Sequence, residues 1–488
     1  MHPLSILVFI NQLYSMSKFI FDLIIVGAGA AGMTAAITAA ELGRRVLVIE
    51  KDSRIGGTLH LTAGHMSAGG SKLQAAKGIS DTPQAHFDDV MRINQGSADA
   101  WMIRLATDEA PKTMDWLAEN GFEFADDSPK MIYGHVSYSI PRTHFGKDIG
   151  RSILNVLQPL FEAQVEKGNI VLRLNTKFVD LLINENQEVV GITALSSENT
   201  RRPHFAQKVI LTTGGYASNH KLFAKRHSSV SRLISTASPN SQGDGIVIAE
   251  RYGAVFHNAE KALSTNGGIE LDPQSGRSDF WGVWARVSNA VDRPPHEVYV
   301  TDNGQRFINE DEPSPDVRER AVERLPNRRF WVIFDENTRK TAPPLLLWWS
   351  EERFLEETKR EKAMWQADSL AELADKTGLP KTNLLATIER FNGFIDQQND
   401  ADFGRKILNN SILHPPFYAV LTYAINLITF GGLKVNEQLQ VVRQDGQPIE
   451  GLYAAGEILG AGATSGNAFC GGMLLTPALS FGRILGRS

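Results

Sequence analysis

Two short apolar runs near the start of the chain stand on either side of a segment of small residues. The first run is Leu23-Ile24-Ile25-Val26, and the second is Val46-Leu47-Val48-Ile49. Residues 30–43 between them are rich in alanine and end at Gly43, a usual stop signal for a helix. Apolar runs of strand length that flank a helix are typical of a parallel β-α-β unit. The pattern therefore predicts an α/β fold that begins at this point.

The apolar pattern continues with both helical and strand-like periods. Residues 99–120 and 152–167 have the spacing of helices with one apolar face. Four shorter runs follow, and the last two of them are expected to pair in a small β-meander. These predicted strands cover 170–174, 177–182, 188–195 and 206–211. The chain thus combines a parallel sheet with a local antiparallel element.

A glycine-rich turn joins the first predicted strand to the first predicted helix. It reads Gly27-Ala28-Gly29-Ala30-Ala31-Gly32, and Glu50 follows at the end of the second apolar run. A G-x-G-x-x-G turn between a strand and a helix, with an acid about 20 residues further on, is the Rossmann arrangement for dinucleotides. Gly27 permits the turn, Gly29 admits a pyrophosphate, and Gly32 allows close helix packing. We therefore predict a bound nucleotide cofactor, with Glu50 on its ribose hydroxyls.

The bulk composition excludes several other classes of protein. The 488 residues carry a net charge of −5 and no long basic run, which argues against nucleic acid as a partner. The single cysteine, Cys470, excludes internal disulfides and multi-cysteine metal sites, so we predict no metal. No apolar stretch reaches the length of a membrane span. Residues 1–15 lack the features of a signal peptide, so we interpret Met16 as the start of a cytoplasmic protein.

Further glycine-rich landmarks recur in order along the chain. They are Gly56-Gly57-Thr58, Thr212-Thr213-Gly214-Gly215, Gly243-Asp244-Gly245, Gly431-Gly432-Leu433 and Gly451-Leu452-Tyr453-Ala454-Ala455-Gly456-Glu457. A further element, Arg306-Phe307-Ile308-Asn309-Glu310, stands between the third and the fourth. Together with the first turn, these landmarks resemble the flavoprotein family of fumarate reductase, L-aspartate oxidase and 3-ketosteroid Δ1-dehydrogenase. The resemblance extends from Phe21 to Gly486.

This resemblance implies FAD, with non-covalent binding favoured, in a Rossmann-like domain that is interrupted by an α+β capping domain. The implied segments are an N-terminal extension over 1–20, the FAD-binding domain over 21–259 and 427–488, and the capping domain over 260–426. The residues implied to hold FAD are Gly27, Gly29, Ala31, Gly32, Glu50, Lys51, Gly57, Thr58, Ala63, Gly64, Val179, Thr213, Gly214, Asp244, Glu457, Leu474 and Leu475. The composition agrees with an inserted domain, because six of the eight tryptophans lie between residues 260 and 425.

The segments expected to face the flavin depart from the fumarate reductase pattern in three places. Thr429 precedes its Gly-Gly pair without the family's histidine, and Phe469 stands near the last Gly-Gly pair, where the family has an arginine. Arg318 is displaced by a few residues from the arginine that delivers the proton in the family. A carboxylate in a dry pocket costs several kcal/mol unless it is paired. With Phe430 and Met473 close by in sequence, we therefore expect an apolar face beside the flavin, which fits a C4-dicarboxylate poorly.

Removal of hydrogen next to a ketone needs a base for the α-proton, a donor for the developing enolate and flavin N5 for the hydride. The candidates are Tyr133, Tyr138, Tyr299 and Tyr418 as the base, the N–H of Gly471 or Gly472 as the donor, Arg142 and Arg318 as carboxylate ligands, and Thr429 and Phe469 at the flavin face. For each tyrosine the alternative is packing with a satisfied hydroxyl. For Arg318 the alternative is a salt bridge at the surface.

We therefore expect an FAD-dependent dehydrogenase that acts on CH–CH bonds and desaturates a carbonyl compound, most favourably a cyclic ketone such as a ketosteroid-like compound or a small-ring oxo acid. One alternative is a fumarate-reductase-like ene-reductase of an unsaturated acid. Another is a flavin electron carrier without its own organic substrate, which a capping domain disfavours because a cap encloses a substrate. The expected partners are a small-molecule substrate and an electron acceptor, namely oxygen, a quinone or a redox protein.

Overall fold

The structure of the protein is a computed structural model that describes residues 20–227, 232–278, 285–287, 290–347 and 349–488. The interpretation of Met16 and of the N-terminal extension up to residue 19 lies outside these residues. So do three of the tryptophans that suggested an inserted domain, Trp281, Trp284 and Trp348.

The described residues form seventeen strands and fourteen helices. The strands are β1 (Phe21–Val26), β2 (Val46–Ile49), β3 (Met66–Ser67), β4 (Thr143–His144), β5 (Ile170–Arg173), β6 (Lys177–Ile183), β7 (Val189–Leu195), β8 (Arg201–Leu211), β9 (Phe256–His257), β10 (Thr265–Gly268), β11 (Val298–Val300), β12 (Arg329–Asp335), β13 (Met364–Ala367), β14 (Phe417–Ile425), β15 (Gly432–Leu433), β16 (Gln440–Val442) and β17 (Pro448–Ala454). The helices are α1 (Ala30–Glu41), α2 (Lys72–Ala76), α3 (Pro83–Ile93), α4 (Ala100–Glu119), α5 (Ile149–Glu166), α6 (His220–Arg226), α7 (Asp244–Arg251), α8 (Pro315–Glu323), α9 (Glu336–Thr341), α10 (Glu351–Arg360), α11 (Leu370–Thr377), α12 (Lys381–Gln397), α13 (Ala461–Ser465) and α14 (Leu475–Arg487). None of the helices that the structure describes combines the length and apolarity needed to cross a membrane.

The larger sheet has the strand order β16-β17-β8-β1-β2-β5, and β7 and β6 extend it from β8. At its centre β1 pairs in parallel with β2 and with β8, so that Ile24 lies opposite Leu47 on one side and Val209 on the other. The last four residues of β1 are fully buried, as expected for a parallel strand that is covered on both faces. The predicted α/β fold with a parallel sheet is therefore confirmed.

The antiparallel element differs from its prediction in length and register. Strand β7 pairs with the first half of β8, where Gly191 lies opposite Phe205 and Leu195 opposite Arg201. The second half, residues 206–211, instead pairs in parallel with β1 and β17. Residues 201–204 escaped prediction because their side chains are polar or proline, so the segment lacks the apolar alternation that marks a strand.

The second sheet has the strand order β10-β14-β12-β11, with β13 on the free part of β14. All nine residues of β14 are buried, because helices and loops cover both faces of this sheet. Residues 370–397 form two successive helices, α11 and α12. Gly378 adopts a left-handed φ of 74° after α11, and Pro380 caps α12, so the chain changes direction between them.

The last helix, α14, packs against α1 through glycines. A Cβ on Gly486 would lie 2.6 Å from the carbonyl oxygen of Ala35, and one on Gly482 would overlap the carbonyl oxygen of Ala31. Because no side chain separates the two helices at these points, the chain that leads into α14 lies beside the first glycine turn. The two ends of the chain thus form one side of the site together.

Candidate active site

The three glycines of the first turn are required for two different reasons. Gly27 has a φ of 104°, and a Cβ there would lie 2.5 Å from the carbonyl oxygen of Thr212. A Cβ on Gly32 would overlap the carbonyl oxygen of Gly27. A Cβ on Gly29, by contrast, would meet no atom within 4 Å. Packing of the protein therefore explains Gly27 and Gly32, whereas Gly29 borders open space of the kind that a ligand's pyrophosphate needs.

The start of α1 is prepared for an anion. Gly29 caps the helix without a side-chain hydrogen bond, so the first N–H groups of the helix have no side-chain acceptor. Beside it, Glu50 accepts the N–H of Ala28 at 2.7 Å and the N–H of Asp52 at 2.8 Å, one on each carboxylate oxygen. Each of these oxygens keeps a second lone pair, which can accept a ribose hydroxyl.

The second acid of the site lies at the far end of the same surface. Glu457 accepts the N–H of Thr429 at 3.2 Å. Burial raises the pKa of Glu457 to about 7, although the N–H groups of Thr429 and Gly215 act in the opposite direction. The neighbouring Gly456, at a φ of 84°, brings this motif against the first turn, since its Cβ would lie 3.2 Å from that of Ala31. Two acids thus flank one continuous surface.

The remaining residues of the expected cofactor site surround the same surface. Gly57 and Thr58 are exposed, and a Cβ on Gly57 would lie 3.4 Å from Gly29. Lys51 and Asp244 form an ion pair of 2.7 Å, so they neutralise each other. The half-buried residues of the expected set are Ala63, Val179, Thr213, Gly214, Leu474 and Leu475, while Gly64 is buried.

These residues fit a flavin dinucleotide. The hydroxyl oxygen of Thr213 is buried without a hydrogen-bond partner among the residues that the structure describes. Leu474 is the N-cap of helix α14 and makes no side-chain hydrogen bond, so the positive dipole end of the helix is available to the electron-rich edge of a flavin. Two acids for hydroxyls, two uncapped helix starts and one open glycine match the parts of FAD. Non-covalent attachment stays a prediction.

Three of the four tyrosines proposed as a base lie in surroundings that keep their hydroxyls protonated. Tyr138 is buried, and its hydroxyl donates to the carbonyl oxygen of Gly471 at 2.6 Å. Tyr418 donates to Glu336 at 2.8 Å inside the second sheet. Burial raises the pKa of Tyr138, Tyr299 and Tyr418 well above its usual range. The fourth candidate, Tyr133, is exposed, and the structure prepares none of these four hydroxyls as a base.

Arg142 has a structural role instead of the expected contact with a substrate carboxylate. Its guanidinium is fully buried and forms two bonds of 2.7 Å to Asp81 and one of 2.6 Å to Asp89. His144 lies beside it and contacts Ser71 and the carbonyl oxygen of Arg142, at 2.8 Å each. Since two carboxylates already neutralise the guanidinium, no charge remains for a substrate.

Arg318 also differs from its expected placement. Its side chain lies on the buried face of α8 and is only 3% exposed, so it forms no salt bridge at the surface. Burial lowers the pKa of Arg318, and the nearby Tyr299, Glu319 and Glu312 act against that shift. Helix α8 thus carries a buried positive charge towards the C-terminal turn.

Four side chains meet where α8 approaches the turn before α14, namely those of His135, Glu319, Phe430 and Phe469. We call this meeting point the cleft. The Nδ1 atom of His135 lies 3.6 Å from Oε1 of Glu319 on α8. The ring of Phe469 packs against the His135 ring with centroids 4.6 Å apart, and Phe430 packs edge-on against Phe469 at 5.5 Å. Burial raises the pKa of Glu319, which favours its protonated form. The predicted apolar face therefore borders an acid–imidazole pair.

Phe469, Thr429 and Gly472 are the sequence candidates that lie around this part of the molecule. Gly472 has a φ of 79° and lies against the backbone of Ser67. His135 and Glu319 were missed. Glu319 had a usable signal, because Pro315, Arg318, Glu319 and Val322 form the buried stripe of α8 and a carboxylate on such a stripe is rare. His135 lies in an irregular segment, where no periodicity marks it.

The network under Arg142 makes stability depend on pH. Burial lowers the pKa of His86 to about 3 and that of His144 to about 4, from 6.5. Below pH 6.5 the unfolded chain takes up protons that the folded chain refuses, so stability is lost as the pH falls towards 4. Between pH 7 and pH 5, we expect the free energy of unfolding of His86→Phe to fall by about 2 kcal/mol less than that of the wild type.

Urea unfolding at the two pH values measures this difference. The matched control is His414→Phe, which changes an exposed histidine and should lose as much stability as the wild type. Equal losses in all three proteins would show that folding leaves the pKa of His86 unchanged.

Comparison with known proteins agrees with the geometry. A family model described as FAD binding domain matches residues 22–474. A fumarate reductase (cytochrome) of Shewanella frigidimarina is 30% identical over 475 residues, which cover 95% of this chain and 76% of that protein. The open conformation of a flavocytochrome c3 fumarate reductase has a TM-score of 0.78 at 26% identity and covers 98% of this chain and 79% of the other. The 3-ketosteroid Δ1-dehydrogenase of Sterolibacterium denitrificans shares the fold, with a TM-score of 0.77, 21% identity, and coverage of 96% and 98%.

These similarities confirm the expected family, its FAD cofactor and its class of reaction, oxidoreduction at carbon–carbon bonds. The chain belongs to the FAD-binding flavoprotein family that includes the fumarate reductases.

Proposed function

We propose that the protein uses FAD to reduce a C=C bond conjugated with a carboxylate, that is, an enoate. The observation that carries the proposal is the protonation state around the cleft. Burial raises the pKa of Glu319 and of the hydroxyls of Tyr138 and Tyr299. A protonated carboxyl can give a proton at neutral pH, and a phenol with a raised pKa cannot take one because it is already protonated. Reduction needs such a donor, whereas the desaturation of a ketone needs a base for the α-proton.

The names of the relatives support the direction of this reaction. The Shewanella protein and the solved flavocytochrome are both called fumarate reductases. Fumarate is an unsaturated carboxylate, so a reductase of another unsaturated carboxylate requires the same reaction type. The similarity to the ketosteroid dehydrogenase supports the fold alone.

The lining of the cleft supports a substrate with one carboxylate. Arg318 supplies a guanidinium on the buried face of α8, and a guanidinium can hold a carboxylate with two parallel hydrogen bonds. A second carboxylate would face the rings of Phe430 and Phe469, where nothing compensates its desolvation. A flat apolar group fits these rings better. We therefore assign the protein an enoate with one carboxylate and an apolar, preferably aromatic, substituent.

Each part of the site has a separate task in this reaction. Reduced FAD, when bound, supplies a hydride to the β-carbon of the substrate. Arg318 orients the carboxylate, and the phenyl rings of Phe430 and Phe469 exclude water from the reacting carbons. The proton for the α-carbon comes from a side chain of the cleft. The first glycine turn only holds the cofactor.

Anaerobic mixing of the chemically reduced protein with cinnamate, fumarate or cyclohexenone tests the substrate class. We expect cinnamate to reoxidise the flavin with a second-order rate constant at least about tenfold above that of fumarate, because one apolar substituent replaces a desolvated carboxylate. Chromatography should identify 3-phenylpropanoate as the product. Faster reoxidation by fumarate would contradict the single carboxylate, and faster reoxidation by cyclohexenone would contradict the need for any carboxylate.

A further inference from the structure

Two titratable side chains face each other across the boundary between the segment 131–141 and helix α8. His135 comes from the former and Glu319 from the latter, with Nδ1 and Oε1 at 3.6 Å. Both atoms are buried, and neither has a hydrogen bond at normal length among the residues that the structure describes. A separation slightly longer than a hydrogen bond is what an apo cleft shows when the contact tightens only around a substrate.

We propose that His135 donates the proton to the α-carbon of the substrate and that Glu319 returns a proton to His135. The proposal rests on the proposed function and names the groups that complete it. About a third of the His135 side chain is exposed, whereas the Glu319 side chain is almost fully buried, at 33% and 3%. The imidazole can therefore reach a substrate in the cleft, and the carboxyl can act only through the imidazole.

The packing of the imidazole directs it towards the substrate site. Phe469 lies along one face of the ring at 4.6 Å, in the turn that leads to α14. His65, which directly follows two expected FAD residues, is close enough to His135 for the charges to interact, and Lys130 adds to the positive charge there. From α8, Asp316 interacts with Glu319, and Arg318 is its direct neighbour. Cationic groups thus approach the pair from the side of His65, and α8 brings both an acid and a cation to it.

The proton transfer balances without any further reactant. The hydride that FAD supplies forms the C–H bond at the β-carbon, and the electron pair of the C=C bond moves to the α-carbon. That pair takes the proton of the His135 imidazolium as its N–H bond breaks. The neutral imidazole then takes the proton of the Glu319 carboxyl, and a solvent proton returns to the carboxylate through the partly exposed imidazole. The site returns to its starting state.

The test compares His135→Gln and Glu319→Gln with the control Glu372→Gln. The control makes the same change from acid to amide, but on α11, at an exposed position that pairs with Lys376. In single turnovers of the reduced protein with cinnamate, we expect His135→Gln to slow reduction about 100-fold, the lower range for a general acid, with little change in KM. Glu319→Gln should move the alkaline limb of the pH–rate profile about one unit lower, because above the pKa of Glu319 the wild type holds the imidazolium with a carboxylate and the variant cannot. The control should change neither quantity.

A second readout does not depend on turnover. The ring signal of His135 in NMR spectra of the oxidised holoprotein is identified by its loss in His135→Gln, and its titration should move to lower pH in Glu319→Gln. If cinnamate fails with the wild type while this titration moves, the pair stands and the assigned substrate is wrong. If the wild type turns over and both variants keep its rate and pH profile, the relay is contradicted. If both variants lose rate while the alkaline limb of the pH–rate profile and the NMR titration stay in place, the pair is only a structural contact.

Discussion

Gly29→Ala yields a folded apoprotein that no longer retains FAD. The added methyl group meets no protein atom within 4 Å, and the backbone at this position has an ordinary φ of −82°. The lost flexibility of the unfolded chain and the weaker helix cap act in opposite directions, so we expect apoprotein stability within about 1 kcal/mol of the wild type. The methyl group nevertheless fills the gap that the pyrophosphate needs, and we expect the Kd for FAD to rise at least about 100-fold.

Two matched glycine substitutions make this result specific. Gly393→Ala lies inside α12 with no atom within 4 Å of the new Cβ, so it should stabilise the protein by up to about 1 kcal/mol and keep FAD. Gly32→Ala should destabilise even the apoprotein, because its Cβ overlaps a backbone oxygen. Urea unfolding of the apoproteins and equilibrium dialysis with FAD measure both quantities. Wild-type affinity in Gly29→Ala would mean that the pyrophosphate does not lie at this turn.

Arg142→Met should lower the free energy of unfolding by about 3–5 kcal/mol, because it leaves two buried carboxylates without their cation. The hydrogen bonds that Asp89 accepts, including those from Ser139, Arg92 and Arg142, outweigh the opposing effect of burial and lower its pKa to about 2. The pKa of Asp81 is lowered as well. Carboxylates of this kind stabilise the fold above their unfolded pKa of about 4, and that contribution is lost as the pH falls towards 2. The wild type should therefore lose much of its advantage over Arg142→Met in acid.

Urea unfolding of the holoprotein measures this loss. Lys72→Met is the control, because its ion pair with Glu119 is exposed on both sides and should change the free energy of unfolding far less. The triple change Arg142→Met, Asp81→Asn and Asp89→Asn should recover part of the stability, since it removes the unpaired charges as well. A variant Arg142→Met with unchanged stability but a raised KM for cinnamate would instead restore the expected role of Arg142 in substrate binding.

The contrast between Gly29 and Arg142 shows what the sequence could predict and what it could not. A glycine turn and its acid lie on one β-α-β unit, so their geometry is local, and the expected placement of Glu50 beside the first turn agrees with the structure. The role of Arg142 depends on Asp81 and Asp89, which lie 61 and 53 residues away and approach it only in the folded chain. No periodicity or motif in the sequence announces that contact.

The segment beyond residue 260 shows the same limit. The end of α11 and the start of α12 follow from Gly378 and Pro380, whose backbone preferences act locally. The pairing of His135 with Glu319 joins segments about 180 residues apart and depends on how α8 docks over the C-terminal turn. The glycine turn and its acid could therefore be predicted from motifs, whereas the proposed pair of His135 and Glu319 required the tertiary structure.

The central claim is that this site reduces an enoate rather than desaturating a saturated compound. The most direct test is anaerobic stopped-flow mixing of the holoprotein in both redox states, followed by flavin absorbance. We expect cinnamate to reoxidise the reduced protein completely within one turnover, and cyclohexanone and 3-phenylpropanoate to leave the oxidised protein unchanged. Rapid bleaching of the oxidised flavin by cyclohexanone, with no reoxidation by cinnamate, would contradict the account.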